Sequence, residues 1–172
     1  EHADIVFTSL TKIFSGSGDI LAGSLILNPK SKWIDQFRNA LNEINIPILS
    51  DGDIVYLEKV SRDVNQRVFE QNKACLELKK RLETHSEIKN IFHPENCPNF
   101  NSLLTSDGGY GCLLSFELNG GLNKAKKFYD SLQVSKGPSL GTKFTLVCPY
   151  VLLAHYDELD WAESFGIPSH LI

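Results

Sequence analysis

The stretch TSLTKIFSGSGD, residues 8–19, decides how the rest of the chain is read. A single lysine, Lys12, sits between hydroxyl residues and a glycine-serine turn, directly after the apolar run Ile5-Val6-Phe7. Two nucleotide motifs fail here. A phosphate loop G-x-x-x-x-G-K-[ST] needs glycine immediately before its lysine, where this chain has Thr11. The dinucleotide fingerprint G-x-G-x-x-G fails as well, because Leu21 stands where its third glycine belongs. A third chemistry remains open. A lysine amine can be held against a cofactor aldehyde while neighbouring hydroxyls, here Ser9 and Thr11, and backbone N–H groups grip the cofactor's phosphate. On residue types alone, a solvated surface lysine is the commoner explanation.

Outward from the lysine, two strand-like runs flank the turn: residues 4–8, and residues 20–27 closed by Asn28-Pro29. Trp33, Phe37, Ala40, Leu41 and Ile44 then recur at helical spacing, which predicts an amphipathic helix over about 30–45, stopped by Ile46-Pro47. Leu57, Val60, Val64, Val68, Cys75, Leu78 and Leu82 keep spacings of three, four or seven on a chain rich in charge and amide. They predict one long helix, or two nearly collinear ones, over 54–82; the stripe is too short and mixed for a coiled coil, so it reads as a linker helix.

After His85 the pattern changes. Residues 88–93 form a short strand candidate, followed by a loop rich in breakers. Tyr110, Cys112, Leu114, Phe116 and Leu118 alternate as on a strand, ended by Asn119-Gly120-Gly121. Leu122, Ala125, Phe128, Tyr129 and Leu132 mark another amphipathic helix, and a strand over 144–148 precedes an apolar helix-like stretch and the acidic DELDWAE at 157–163. This half reads as an α+β unit with helices on one face of a sheet.

Composition narrows the function. With 172 residues, 42% hydrophobic and 22% charged, the chain is globular rather than disordered. A net charge of −4 and the lack of any Lys/Arg cluster argue against nucleic acid and anionic membranes as partners. No run of about 18 apolar residues predicts a membrane span, and no signal peptide opens the chain, so the expected location is cytoplasmic. Cys75, Cys97, Cys112 and Cys148 form no C-x-x-C pair, so a zinc site or redox dithiol is not signalled and no metal is expected. They read as reduced thiols. The absence of methionine and a start only a few residues before a strand read as an excised stretch of a longer chain.

The wider segment ADIVFTSLTKIFSGSGDILAGSLIL, residues 3–27, resembles the lysine-bearing segment of the Cys/Met-metabolism (transsulfuration) family of pyridoxal-phosphate enzymes. Ala3, Asp4, Val6, Ser9, Thr11, Lys12, Gly16, Asp19 and Gly23 fall in register with A-D-[IL]-V-x-x-S-x-T-K-[YF]-x-x-G-H-x-D-x-x-x-G. GCLLSFEL at 111–118 and Ser139-Leu140-Gly141 are similar to two further family segments. The stretch from Ser139 to Pro168 is most similar to the fungal cystathionine gamma-synthase branch.

The resemblance implies an α/β chain, the C-terminal part of a fold type I pyridoxal-phosphate-dependent enzyme. Residues 1–65 would end the large cofactor domain, 66–84 would form the linker helix, and 85–172 an incomplete α+β C-terminal domain. It implies pyridoxal 5'-phosphate as cofactor, Lys12 as its covalent anchor and catalytic base, and Ser9 and Thr11 as phosphate ligands. Ser139 and Gly141 would border the substrate carboxylate. The implied reaction is γ-replacement of an O-acylhomoserine by cysteine in a homodimer or homotetramer. Cystathionine lyase or O-acylhomoserine sulfhydrylase chemistry, or a non-catalytic assembly subunit, are the alternatives. Ser17 stands where many members have histidine, and Ser61-Arg62-Asp63-Val64 replaces an L-[RK]-T-L pattern. His155 aligns with a family histidine but reads as structural. In the family, the ring-stacking aromatic, the aspartate on the pyridine nitrogen and the Gly-rich phosphate segment precede residue 1, and the carboxylate-binding arginine follows residue 172. These 172 residues alone are therefore expected not to turn over substrate.

Overall fold

The computed structural model describes residues 3–44 and 49–172, which divide into two compact units, Glu1–Val64 and Asn65–Ile172. In the first, β1 (Ile5–Ser9) pairs antiparallel with β2 (Gly23–Leu27), Ile5 opposite Leu27 and Ser9 opposite Gly23. β2 starts later than the apolar run suggests because Ala22 is committed to the turn, where its carbonyl accepts from Leu10 and Thr11 N–H. Ile5, Val6, Phe7, Leu25 and Ile26 all expose much of their apolar surface. An apolar run without in-out alternation is the composition of strands meant for burial on both faces. Helix α1 (Ile34–Glu43) carries the expected stripe and stops where Ile44 turns extended. Ile46-Pro47, the expected stop, lies outside the described residues.

The run over 54–82 resolves into two helices, α2 (Asp51–Ser61) and α3 (Val64–Glu83), separated by a turn at Arg62-Asp63. Ser50 caps α2: its hydroxyl accepts from Asp53 N–H at 3.1 Å and satisfies one of the orphan donors of the first turn. α3 groups with the second unit. Among the described residues no helix is long and apolar enough to cross a membrane.

The second unit is organised by β3 (Ile88–Phe92) and β4 (Ser115–Leu118), paired antiparallel with a bulge between Ile88 and Asn90. Ile88 and Ile91 are three apart and would face opposite sides of a regular strand. The extra residue of the bulge brings both opposite β4's core side, Ile88 across from Leu118 and Ile91 across from Phe116. Phe116 and Leu118 then pack with Ala125 and Phe128 of α5 (Gly121–Ser131), Leu82 of α3, and Ile172. Ile172 also exchanges both backbone hydrogen bonds with Phe116, at 2.8 and 3.1 Å. A short helix α4 (Pro98–Leu103) follows β3, and β5 (Ser135–Lys136) pairs parallel with β6 (Leu146–Val147). Two short helices, α6 (Tyr150–Ala154) and α7 (Leu159–Ser164), complete the unit.

The strand expected over 110–118 begins only at Ser115. Asn72 of α3 takes the N–H groups of Tyr110 and Gly111 at 2.8 and 3.1 Å, and Gly111 turns to φ 83°, so these residues never enter the ladder. The thiols of Cys75, Cys112 and Cys148 are pushed up by burial, which suits unreactive packing roles.

The same bulge builds a polar cluster on β4's other face. Glu117 is 95% buried, and two residues of the bulged strand oppose it: Lys89 Nζ at 2.7 Å and Asn90 Nδ2 at 2.7 Å, joined by His170 Nε2 at 3.0 Å. Burial pushes the Glu117 carboxyl up, and the bonds from Lys89, Asn90 and His170 together more than reverse this, leaving it below its ordinary value. An unfolded chain therefore holds this proton more tightly. The stability Glu117 contributes is complete above its unfolded pKa and drains away as pH falls through the folded one. Glu117→Gln should cost about 1–3 kcal/mol at neutral pH and should flatten the acid limb of urea-midpoint-against-pH curves. An unchanged acid limb would show that this cluster does not carry the pH dependence.

Candidate functional site

Leu10–Phe14 form a wide π-type turn at the end of β1, closed by Ser15 N–H on Leu10 C=O at 3.0 Å and Gly16 N–H on Lys12 C=O at 2.9 Å. Within it Lys12 departs from helical geometry, at φ −86° and ψ −120°. Its side chain is half-buried and its amine has no hydrogen-bond or ion-pair partner among the described residues. A half-buried lysine that holds no carboxylate is not fulfilling the usual surface role.

The turn is fixed by its neighbours. Ser15 is fully buried and its hydroxyl donates to Thr11 C=O at 2.8 Å. Thr11 is buried, and its Oγ1 accepts from Ala22 N–H at 3.0 Å and donates to Ala22 C=O at 3.3 Å. That carbonyl already accepts from Leu10 and Thr11 N–H at 2.9 and 3.3 Å, which fills the two lone pairs of a carbonyl oxygen. The Thr11 proton is therefore weakly held and free to turn to an anion while the oxygen keeps Ala22 N–H. Thr11→Val removes that acceptor from the part-buried Ala22 N–H and should lower stability by about 1–3 kcal/mol, measured by urea denaturation. An unchanged midpoint would mean that the Thr11–Ala22 clasp does not hold the turn.

Ser9 is half-buried, and its hydroxyl has no partner among the described residues. Beyond the lysine, Gly16 and Gly18 adopt φ 69° and 75°, a conformation that favours glycine. Between them the Ser17 hydroxyl is buried without a hydrogen-bond partner of good geometry. Next in the chain is Asp19. The nearby Ser17 hydroxyl, and the Tyr56 hydroxyl that donates to Asp19 Oδ2 at 2.7 Å, hold its carboxyl below the usual carboxylate range. Tyr56 was silent in the sequence: it sits 37 positions away on a helix where an aromatic reads as apolar stripe.

In the second unit, Ser139 is half-buried and Gly141 is buried at φ 72°. Their loop is pinned by Gln71 of α3, whose Nε2 donates to Thr142 C=O at 2.7 Å, and by Thr142 Oγ1, which donates to Phe144 C=O at 2.6 Å. The Gln71 Oε1 is buried with no partner of its own among the described residues. No sequence signal separates Gln71 from the other amides of α3. His155 is held by Glu158, Nδ1 to Oε1 at 2.6 Å, in a structural contact. Ser9, Thr11 and Lys12 thus share one turn of the first unit, and Ser139 and Gly141 share one loop of the second.

The donor set of the lysine turn fits an aldehyde-bearing phosphate ester: an amine and a Ser9 hydroxyl without partners among the described residues, and the movable proton of Thr11. Comparison with known proteins agrees with that chemistry. The chain is 39% identical over 175 residues to the cystathionine gamma-synthase of Neurospora crassa, with all of this chain and 28% of that protein covered. It is likewise 39% identical over 188 residues to the cystathionine gamma-synthase of Saccharomyces cerevisiae, covering 99% of this chain and 28% of that one. The chain thus spans little more than a quarter of the length of these relatives. Among solved structures, the cystathionine gamma synthase of Xanthomonas oryzae pv. oryzae in complex with cystathionine superposes with a TM-score of 0.80 at 22% identity, over 99% of this chain and 44% of that one. That likeness shows the shared fold, the C-terminal part of these larger enzymes. The family model for Cys/Met metabolism PLP-dependent enzymes matches residues 1–167. With a lysine turn of this chemistry and a family match across nearly its whole length, the chain belongs to the Cys/Met metabolism PLP-dependent enzymes.

Proposed function

We propose that the chain forms part of a cystathionine gamma-synthase, in which cysteine replaces the acyl group of an O-acylhomoserine at its γ-carbon. The observation that carries this reading is the partnerless, half-buried amine of Lys12 on a turn fastened by Thr11, Ser15 and Ala22. Pyridoxal phosphate, when bound, supplies an electron sink for negative charge developing at the substrate α-carbon. Lys12 would hold the cofactor covalently, and its amine, once displaced from the cofactor by the substrate amine, would take the α-carbon proton and return protons along the substrate side chain. Ser9 and Thr11 would donate to the phosphate. In the second unit, Ser139 and the loop that Gly141 turns would meet the substrate carboxylate, with Gln71 and Thr142 keeping the loop in shape.

Further support comes from the fungal relatives, which bear the name of this reaction at 39% identity. A homodimer or homotetramer is proposed with it, as the form that would complete such a pocket. The test is to incubate the full-length chain with pyridoxal phosphate, O-acetyl- or O-succinylhomoserine and cysteine, and to follow cystathionine by mass spectrometry. Cystathionine in cysteine-dependent amounts is the expected product. Release of keto acid and ammonia with no cystathionine would overturn γ-replacement. Ser9→Ala should leave stability unchanged, because its hydroxyl holds nothing in the fold, while weakening cofactor retention about tenfold, the loss of roughly one charge-assisted hydrogen bond. Equilibrium dialysis reads the difference, and unaltered retention would remove Ser9 from the phosphate site.

A further inference from the structure

Residues 144–172 contain no lysine or arginine, yet include Asp157, Glu158, Asp160 and Glu163, so they carry the whole of the chain's net charge of −4. The four carboxylates lie on α7 and the short 3-10 turn Tyr156–Glu158 that leads into it. All four residues are exposed, and among the described residues Asp157, Asp160 and Glu163 have no ion pair while Glu158 pairs with His155 alone.

The same segment holds its aromatic side chains outward. Val151 and Ala162, at 0% and 1% exposure, anchor α6 and α7 to the unit. Around them Tyr150, Tyr156, Trp161 and Phe165 keep 54–72% of their surface in solvent. Three of these rings are not scattered. Tyr150 stands edge-on to His155 with centroids 5.7 Å apart, His155 lies 5.9 Å from Trp161, and Trp161 lies 5.0 Å from Phe165. The ladder holds its own geometry, so a partner meeting it would lose little further side-chain freedom.

Exposed tryptophan and tyrosine are the side chains that most often anchor protein interfaces. Aromatic faces beside unpaired carboxylates select a particular cation: a guanidinium can stack on a ring and take a carboxylate bidentately at its edge. Nucleic acid and anionic membranes carry the wrong sign for this surface. A second copy of the same face, related by a two-fold axis, would set these carboxylates against themselves.

We propose that the α6–α7 surface docks a partner protein through an arginine-rich segment interspersed with apolar residues. This does not depend on the reaction assigned to the lysine turn. The probe is a fluorescently labelled peptide in which arginine alternates with leucine, titrated by anisotropy against the full-length chain. A peptide with glutamate in place of arginine is the control. The arginine peptide should bind and the glutamate peptide should not. Affinity should fall about tenfold or more in Trp161→Ala/Phe165→Ala and in Asp160→Asn/Glu163→Gln, changes of the size that interface anchors and rim charges produce. Both pairs are surface positions, and circular dichroism and cofactor binding should match the parent. Three results would overturn the proposal. They are equal affinity in parent and variants, a smaller assembly mass in the aromatic variant (a second copy covers the face), and slow hydrogen exchange through 150–165 in the chain alone (its own residues cover it).

Discussion

Lys12→Ala in the full-length chain is expected to abolish cystathionine formation, by about 10³-fold or more, and to remove the visible absorption band of lysine-bound cofactor. Under the proposed function two roles would fall on one amine, covalent attachment and proton transfer, the second alone worth about 10²–10⁴-fold. The structure separates this loss from unfolding. Among the described residues Lys12's side chain has no hydrogen-bond or ion-pair partner, whereas Thr11, Ser15 and Ala22 fasten the turn by bonds that do not involve it. The unfolding free energy from urea denaturation should therefore stay within about 0.5 kcal/mol of the parent. Lys12→Arg keeps the charge but should fail as fully, since a guanidinium stays protonated and cannot serve as nucleophile or base. Lys30→Ala, at an exposed lysine of the same unit, should be silent. A Lys12→Ala protein that kept the band and the rate would remove this lysine from the chemistry.

Phe116→Ala should have the largest effect on stability, about 3–5 kcal/mol, a sizeable share of the roughly 5–15 kcal/mol that holds a domain together. Phe116 is 9% exposed, meets Phe128 edge-on with centroids 5.8 Å apart, and packs in the cluster with Leu118, Ala125 and Ile172. Truncation removes the ring where the sheet meets α5 and leaves a cavity that the bulged strand, already tied at Lys89 and Asn90, is poorly placed to fill. Leu113→Ala, two residues before β4 and 54% exposed, should move the urea midpoint little. The contrast is the test. Equal effects at the two positions would mean that the core does not lie where Phe116 places it.

Local features were legible in the sequence and long-range ones were not. Periodicity located α1, α5 and β3 because apolar residues recur at the spacing of one face of an element, whatever lies opposite. Over 54–82 it left one helix or two open, since the stripe from Leu57 to Leu82 keeps helical spacing across Arg62-Asp63, and the backbone decides for two. The strand over 110–118 was overextended for a different reason. Its first half alternates correctly, but Asn72, 38 positions away, captures the N–H groups that the ladder would need. The bulge at Ile88 was equally invisible, although the odd spacing of Ile88 and Ile91 carries its trace once β4 is known.

At the site, residue types alone left Lys12 as an ordinary surface lysine, and the family pattern over residues 3–27 made it a candidate cofactor lysine with Ser9 and Thr11 as candidate phosphate ligands. The sequence could not show that Thr11's oxygen is shared with Ala22, or that Asp19 answers to Tyr56, because both depend on how the turn closes. Ser139 and Gly141 were visible through a family segment, whereas Gln71, which pins their loop from α3, carried no mark.

The central claim is that Lys12 is the lysine that carries the cofactor, and borohydride reduction tests it most directly. The full-length chain is loaded with pyridoxal phosphate, reduced to make the linkage permanent, digested, and sequenced by tandem mass spectrometry. One phosphopyridoxyl group on Lys12, absent from the Lys12→Ala protein, is the predicted result; stoichiometric label on another lysine, or none on Lys12, would contradict the account.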